Sequence, residues 1–224
     1  MRARHVAQAG MEKLLDPDAA VWRRVRPHSL RLVGTPLGLQ PTEAIRVSWA
    51  RRPIGAVDGV AVSVLHDGET LAFRLSWSDP SADQEISDTT SFPDAAAVVL
   101  PAVPGAPLVT MGAPGAPVNV WYWRADDEAG RARHLLAEGI GTSRTLDREL
   151  VRARGVWKEG GWRVVIARPL AVRTSEPVAQ LTAGARTLFA VAVWEGSRGE
   201  RAGLKAFSGD WQGLELDGVP EARR

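Results

Sequence analysis

The sequence predicts a mainly β protein, a single-domain antiparallel β-sandwich with a few short helices. Short runs of alternating apolar and polar residues recur along the chain, separated by Gly- and Pro-rich turns. His66-Asp67-Gly68 and Lys158-Glu159-Gly160-Gly161 each fall between two such runs, where a hairpin turn belongs. Helical character is confined to short stretches. A length of 224 residues can bury a full core, and no internal repeat or linker divides it, so residues 1–224 read as one domain.

Residues 1–29 are poorly periodic and predict a peripheral segment draped over the sheets. Within them Asp16-Pro17-Asp18 can cap a short helical turn holding Ala19, Val21 and Trp22. Leu30–Val33 and Ala44–Trp49 read as strands joined by a loop containing Gly34, Pro36, Gly38 and Pro41. The clearest pair follows: Val60, Val62 and Val64 lead into the turn, and Leu71, Phe73, Leu75 and Trp77 alternate on the return, with His66 assigned to the turn. Ser78–Asp94 is polar. Its carboxylates Asp79, Asp83, Glu85 and Asp88 do not follow a calcium-loop spacing and predict a solvated excursion. Ala95–Leu100 is apolar on both faces and predicts a central strand.

The rest of the chain is organised around residues 107–126. Pro107, Pro114 and Pro117 lack a donor N–H and Gly112 and Gly115 can take positive φ, so 107–117 predicts a shaped loop. Val118–Arg124, carrying Trp121, Tyr122 and Trp123, predicts a strand. Residues 127–150, with Ala132, Leu135 and Leu136 amid charge, are the best helix candidate, broken early by Gly139 and Gly141. Val151–Trp157 and Trp162–Arg168 predict a hairpin, Pro169–Gly184 a connector, Leu188–Trp194 the most apolar strand, Glu195–Asp210 a long polar loop and Trp211–Leu216 a last strand. The sum is about nine to eleven strands.

Composition excludes several chemistries. With no cysteine there are no disulfides, iron–sulfur clusters, thiolate zinc sites or covalent haem attachment within the chain. A net charge of +2 without a basic stripe gives no nucleic-acid footprint. The basic N-terminus lacks the apolar core of a secretory signal, and no run approaches a membrane span, so the chain by itself reads as cytoplasmic unless exported with another protein. There is no Gly-x-Ser-x-Gly, no His-Glu-x-x-His, and no Gly-rich strand–helix turn for a nucleotide. Met111, in the Gly/Pro loop, fits either gap-filling core or a soft ligand to haem iron. The residues alone leave the function open between ligand binding and redox.

Two stretches narrow that choice. Thr110-Met111-Gly112-Ala113, followed by Pro117-Val118-Asn119-Val120-Trp121-Tyr122-Trp123-Arg124-Ala125-Asp126, is one. The other is Phe189-Ala190-Val191-Ala192-Val193-Trp194-Glu195-Gly196-Ser197 with Glu200-Arg201-Ala202-Gly203-Leu204-Lys205. Together they resemble the haem b-binding γ subunits of periplasmic molybdenum enzymes of the type II dimethyl-sulfoxide-reductase class. That group serves ethylbenzene dehydrogenase, dimethylsulfide dehydrogenase, selenate reductase and chlorate reductase. The similarity extends from Leu14-Leu15-Asp16 through Pro36 and the His66-Asp67-Gly68 hairpin to the final strand.

The resemblance implies one non-covalent haem b with Met111 and Lys205 as axial ligands. It implies partners as well: a molybdopterin α subunit, an iron–sulfur β subunit and a soluble c-type cytochrome or similar carrier. The chain would then be a non-catalytic electron-transfer subunit, exported to the periplasm together with α. Lys205 is one of only three lysines, beside Lys13 and Lys158. A lysine ligand must be a neutral amine, which burial and iron binding favour. The family commonly has Arg-Lys-Ser where this chain has Leu204-Lys205-Ala206, which removes polar neighbours but keeps the ligand position. Phe92, Asn119, Trp121, Trp123 and Arg201 are the candidates for pocket wall or propionate contacts. The competing reading is a carbohydrate- or ligand-binding β-sandwich module without a redox centre, with exposed tryptophans stacking on sugar, although most of the nine tryptophans fall in strands and read as core.

Overall fold

Alternation of Val60, Val62 and Val64 with Leu71, Phe73 and Leu75 makes a hairpin that turns these six side chains into one core, while Leu65 and Ala72 are buried in a second cluster. It is one of many such pairs. The computed structural model describes residues 1–7, 9–86, 90–128 and 130–220. Its strands are β1 (Arg2–His5), β2 (His28–Arg31), β3 (Val33–Gly34), β4 (Gly59–His66), β5 (Thr70–Ser78), β6 (Ala95–Pro101), β7 (Val118–Arg124), β8 (Arg133–Ala137), β9 (Arg144–Asp147), β10 (Arg152–Trp157), β11 (Gly161–Pro169), β12 (Arg186–Trp194), β13 (Ala206–Phe207) and β14 (Gln212–Leu216). The helices are α1 (Met11–Leu15) and α2 (Glu43–Trp49), with 3₁₀ turns at Ala20–Arg24, Leu37–Leu39 and Gly196–Arg198.

The strands follow the order β10-β11-β5-β4-β1-β14-β12-β6-β7-β8-β9, with β2 on β4, β13 on β12 and β3 on β13. This path folds into two facing layers. The layer β10-β11-β5-β4 packs on β14-β12-β6-β7-β8 through one shared core. There Phe73 meets Trp121 edge-on at 5.9 Å and Phe189 at 5.3 Å. Trp123 packs against Trp162 at 5.0 Å and Trp77 at 6.5 Å. Offset and edge-to-face contacts of this kind add to what area burial alone gives. The β-sandwich expectation holds. Within it β1 is a departure, since it runs parallel to both β4 and β14 while the other ladders are antiparallel.

Several local expectations are corrected. Residues 1–29 are not merely peripheral: β1 sits mid-path between β4 and β14, and Leu14, Leu15 and Trp22 are buried. The turn expected after Asp16 forms as the 3₁₀ segment Ala20–Arg24. Ala44–Trp49 belongs to helix α2, because Thr42 caps it by accepting from Ile45 N at 3.3 Å. Residues 127–150 contain no described helix. They form β8 and β9; on β8 His134 and Leu136 are buried, like Ala132 just before it, while Arg133 and Leu135 are half-buried, a period of two. His66 closes β4 as a fully buried residue, and the turn proper is made by Asp67, whose Oδ1 accepts from Glu69 N and Thr70 N.

The acidic stretch is corrected too. Asp79 and Asp94 are fully buried, and with Asp83 and Glu195 they bring one carboxylate oxygen each within 4.8 Å of the others. Asp94 ties the loops together, accepting from Gly196 N, Asp83 N and Trp162 Nε1 at 2.9 Å each. Burial pushes the Asp94 carboxyl up to about 7. Burial, and then the neighbouring Asp94 and Glu195, push Asp79 up to about 7 as well. Asp88 lies outside the described residues.

Candidate functional site

The layer β12-β6-β7-β8 has two faces with different fillings. Its inner face carries Trp121, Trp123, Phe189, Val191 and Val193 into the inter-layer core. Its outer face carries Ala95, Ala97, Val99, Val120, Ala137, Ala190 and Ala192. Small side chains on that outer face leave room beneath the loops that cross it, and a cavity of about 380 Å³ lies there. The volume falls in the range of small-molecule and cofactor sites, roughly 300–1,000 Å³. A second space of about 20 Å³ adjoins it and shares Thr35, Val109, Met111 and Lys205 as walls.

The Met111 loop is held in an uncommon conformation. Met111 has φ 58°, and of the three described non-glycine residues at positive φ, two, Met111 and Ala202, line this cavity. A left-handed side-chain-bearing residue costs on the order of 1–3 kcal/mol and persists where its surroundings over-determine it. They do so here. Met111 N donates to Leu108 O at 2.8 Å, Gly112 N to Pro107 O at 2.8 Å, and Gly139 N to Met111 O at 3.0 Å. Gly112 follows at φ 85°, and a Cβ there would come within 2.5 Å of Ala137 O, so only glycine lets the loop lie on β8.

Lys205 lines the same cavity from a separate loop, immediately before β13. Its backbone is clamped to Thr35, at the end of β3: Thr35 N donates to Lys205 O at 3.0 Å, and Lys205 N donates to Thr35 Oγ1 at 3.4 Å. The preceding loop is pinned by Glu200, which accepts from Gly55 N, Ala56 N and Glu195 N, and by Trp194 Nε1, which donates to Ala202 O at 3.0 Å. The Lys205 ammonium lies 5.5 Å from the Trp194 ring centre. No carboxylate lines the cavity among the described residues. Burial alone therefore pushes Lys205 down from 10.5 to about 8. At pH 7 that raises the neutral fraction from about 1 in 3,000 to about 1 in 10.

Along the wall, Tyr122 meets Trp194 edge-on at 5.3 Å and lies under Arg133, whose Cζ is 5.5 Å from the ring. Burial pushes the Tyr122 phenol up to about 12. Arg133 and Lys205 are the cations among the lining residues. Arg133 is paired with Asp127 at 2.6 Å but keeps a buried Nε without an acceptor.

Met111 and Lys205, expected together, do line one cavity. The other expected wall residues are placed elsewhere, and strand parity explains three of them. On β7, Val120 and Tyr122 face the cavity, while Asn119, Trp121 and Trp123 alternate to the other side. There Asn119 Oδ1 accepts from Trp121 Nε1 at 3.3 Å and from Arg168 Nη1 at 3.0 Å, and Arg168 stacks on Trp121 at 4.8 Å. Phe92 and Arg201 pack on each other at 4.2 Å, outside the lining residues. Gln40, Thr35, Tyr122, Arg133 and Trp194 are among the wall residues not anticipated from sequence. The readable signal was the parity of Val118–Arg124 once Trp121 is given to the core.

A model of the family described as ethylbenzene dehydrogenase matches residues 19–147 and 135–206, and so takes in both Met111 and Lys205. The chain belongs to the ethylbenzene dehydrogenase family. It is 39% identical over 203 residues to the chlorate reductase subunit gamma of Ideonella dechloratans, covering 89% of this chain and 79% of that protein. A protein of Haloferax mediterranei named "putative respiratory nitrate reductase heme subunit" is 37% identical over 75% of this chain and 62% of its own length. The dimethylsulfide dehydrogenase subunit gamma of Rhodovulum sulfidophilum is 30% identical over 88% of this chain and 73% of its own length. Among solved structures, a family 9 carbohydrate-binding module from Caldicellulosiruptor kristjanssonii, in complex with glucose, superposes with a TM-score of 0.52 at 10% identity, covering 100% of this chain and 99% of the module. At that identity the likeness concerns the fold alone. Among the described residues no helix is long and apolar enough to cross a membrane.

Proposed function

We propose that this chain is the electron-transfer subunit of a molybdenum oxidoreductase complex and holds one non-covalent haem b in the cavity between Met111 and Lys205. One observation carries the reading: a thioether and a desolvated amine, delivered by two separately pinned loops, line the same apolar cavity. A thioether is a soft ligand that favours reduced iron, and an amine binds iron only when neutral, the form that burial of Lys205 promotes. The two loops would hold the ligands, and Tyr122, Trp194, Val120 and Leu135, which line the cavity, would keep water from a bound haem. Arg133, with its free Nε, is placed to take a haem carboxylate. A bound haem supplies a one-electron iron couple, and the chain contributes the ligands, the dry cavity and the surface that meets its partners.

In this reading the chain performs no substrate chemistry. A molybdopterin α subunit does so, an iron–sulfur β subunit connects to the haem, and a soluble c-type cytochrome or similar carrier exchanges electrons outside the complex. The assembly works in the periplasm, where this chain arrives together with α. The relatives named as subunits of chlorate reductase and dimethylsulfide dehydrogenase, and the one named as a haem subunit, support this assignment. The carbohydrate-module reading loses its main support, because seven of the nine tryptophans are buried and the others, Trp157 and Trp211, are half-buried. Expression with the partner subunits and ample haem, followed by haem quantification, tests the proposal. One haem b per chain, with the spectrum altered by Met111→Ala and by Lys205→Ala, is the expected result; a folded chain without a Soret band would contradict it.

A further inference from the structure

Gln40 has a buried side-chain oxygen with nothing donating to it. The residue is 3% exposed, and its Oε1 has no hydrogen-bond partner. Buried amide oxygens in folded proteins are nearly always satisfied, so an orphan in a cavity wall points to a donor that arrives with a ligand or with a change in a neighbouring group. The amide is not free to turn, since its Nε2 donates to Gly203 O at 3.1 Å and to Thr35 Oγ1 at 3.4 Å. Thr35 Oγ1 in turn donates to Gly203 O at 2.6 Å and accepts from Lys205 N at 3.4 Å. Gly203 makes the approach possible: a Cβ there would come within 2.4 Å of Gln40 Oε1. Gly203 and Lys205 both line the cavity, while Leu204 between them is buried outside its wall. Gln40, Thr35 and Lys205 thus form one connected group on one side of the cavity.

We propose that Gln40 Oε1 accepts an N–H from the neutral Lys205 amine when that amine binds iron, with Thr35 fixing the lysine backbone, so that the pair positions the ligand and sets its donor strength. The proposal rests on the Met111/Lys205 reading above. An amine bound to iron would keep two N–H groups polarised by the metal, and Gln40 Oε1 is an acceptor in the same cavity lining without a donor. An unmade hydrogen bond from such a donor weakens the ligand, and an acceptor aimed at it orients the amine and raises its basicity, as outer-shell partners of metal ligands do. More electron density on nitrogen favours the ferric state over the ferrous. Gln40 and Thr35 are positioning residues in this account, acting only through Lys205.

The test is a redox titration of the full-length haem-loaded chain carrying Gln40→Met, Thr35→Val or Thr35→Ser, with thermal unfolding of the haem-free chains alongside. Gln40→Met keeps the volume and removes the acceptor. Outer-shell changes cost metal sites about 10- to 100-fold in affinity. A tenfold loss confined to the ferric state raises the midpoint potential by about 59 mV for one electron. The expected result is a rise of that order in Gln40→Met at unchanged haem content, a rise in the same direction in Thr35→Val, and recovery of the parent potential in Thr35→Ser. An unchanged potential in Gln40→Met, whether or not its haem-free form melts earlier, overturns the proposal and leaves the ligand assignment standing. Should Gln40→Met lose haem, an unchanged potential in Thr35→Val overturns it equally. A spectrum and potential unaltered by Lys205→Ala defeat the ligand reading itself, and the role of Gln40 with it.

Discussion

The two faces of strand β7 illustrate how one run of residues builds both a core and a cavity. Asn119, Trp121 and Trp123 face the opposite layer, where aromatic rings fill the space and the residues are buried. Val120 and Tyr122 face outward, where the neighbouring strands present Ala97, Ala192 and Ala137 and the space is left open under two loops. Backbone and pleat are the same on both sides. Only side-chain volume differs, and it decides that one face is filled as core and the other is left with a cavity.

Substitutions on the two faces should separate these roles. The largest stability effect is expected on the inner face. Trp121→Ala, at a fully buried position, should cost about 3–5 kcal/mol in denaturant unfolding. If the chain still folds, the axial ligand signature should be unaltered. On the outer face, Ala137→Leu intrudes on the cavity and should cost less, about 1–3 kcal/mol, while sharply lowering haem content. Equal loss of stability and haem in both variants would erase the distinction drawn between the faces.

A third substitution probes the joint between them. Gly112→Ala imposes φ 85° on a residue with a Cβ that meets Ala137 O, and should cost at least about 1 kcal/mol. Because Met111 is displaced with the loop, haem affinity should fall more than in a remote variant of equal stability, as comparison of melting temperature and haem titration would reveal.

The smallest effect concerns pH. Asp79 and Asp94 have folded-state values near 7, above their unfolded value. Their protonated forms are therefore favoured by folding. Their contribution to stability is complete below about pH 4 and is lost as pH rises through about 7. Asp79→Asn should accordingly raise the melting temperature more at pH 8 than at pH 5. A larger gain at pH 5 would reverse the assigned sign.

Much of the fold was legible because alternation was strong. The bounds of β7 and the loop before it, the β4–β5 and β10–β11 hairpins and β12 follow from period-two patterns and turn residues. Two errors share one cause. Ala44–Trp49 and residues 127–150 are short and mixed, and there a cap at Thr42 and a bulged β8–β9 pairing decide what periodicity does not. The burial of Asp79 and Asp94 was not readable, since the partners Gly196 and Trp162 are far away in sequence. In the site, the pairing of Met111 with Lys205 rested on family resemblance, and both residues line one cavity. The remaining wall residues required knowing which side of β7 faces in. Three adjacent aromatics conceal that parity, because each of them is as able to line a pocket as to fill a core.

The most direct test of the account is the proton NMR spectrum of the reduced, haem-loaded chain, in which the ring current displaces resonances of groups bound to the iron far upfield. The account predicts a displaced methionine methyl resonance that disappears in Met111→Ala and displaced lysine methylene resonances that disappear in Lys205→Ala. Displaced resonances that survive both substitutions, or a spectrum with none, would contradict it.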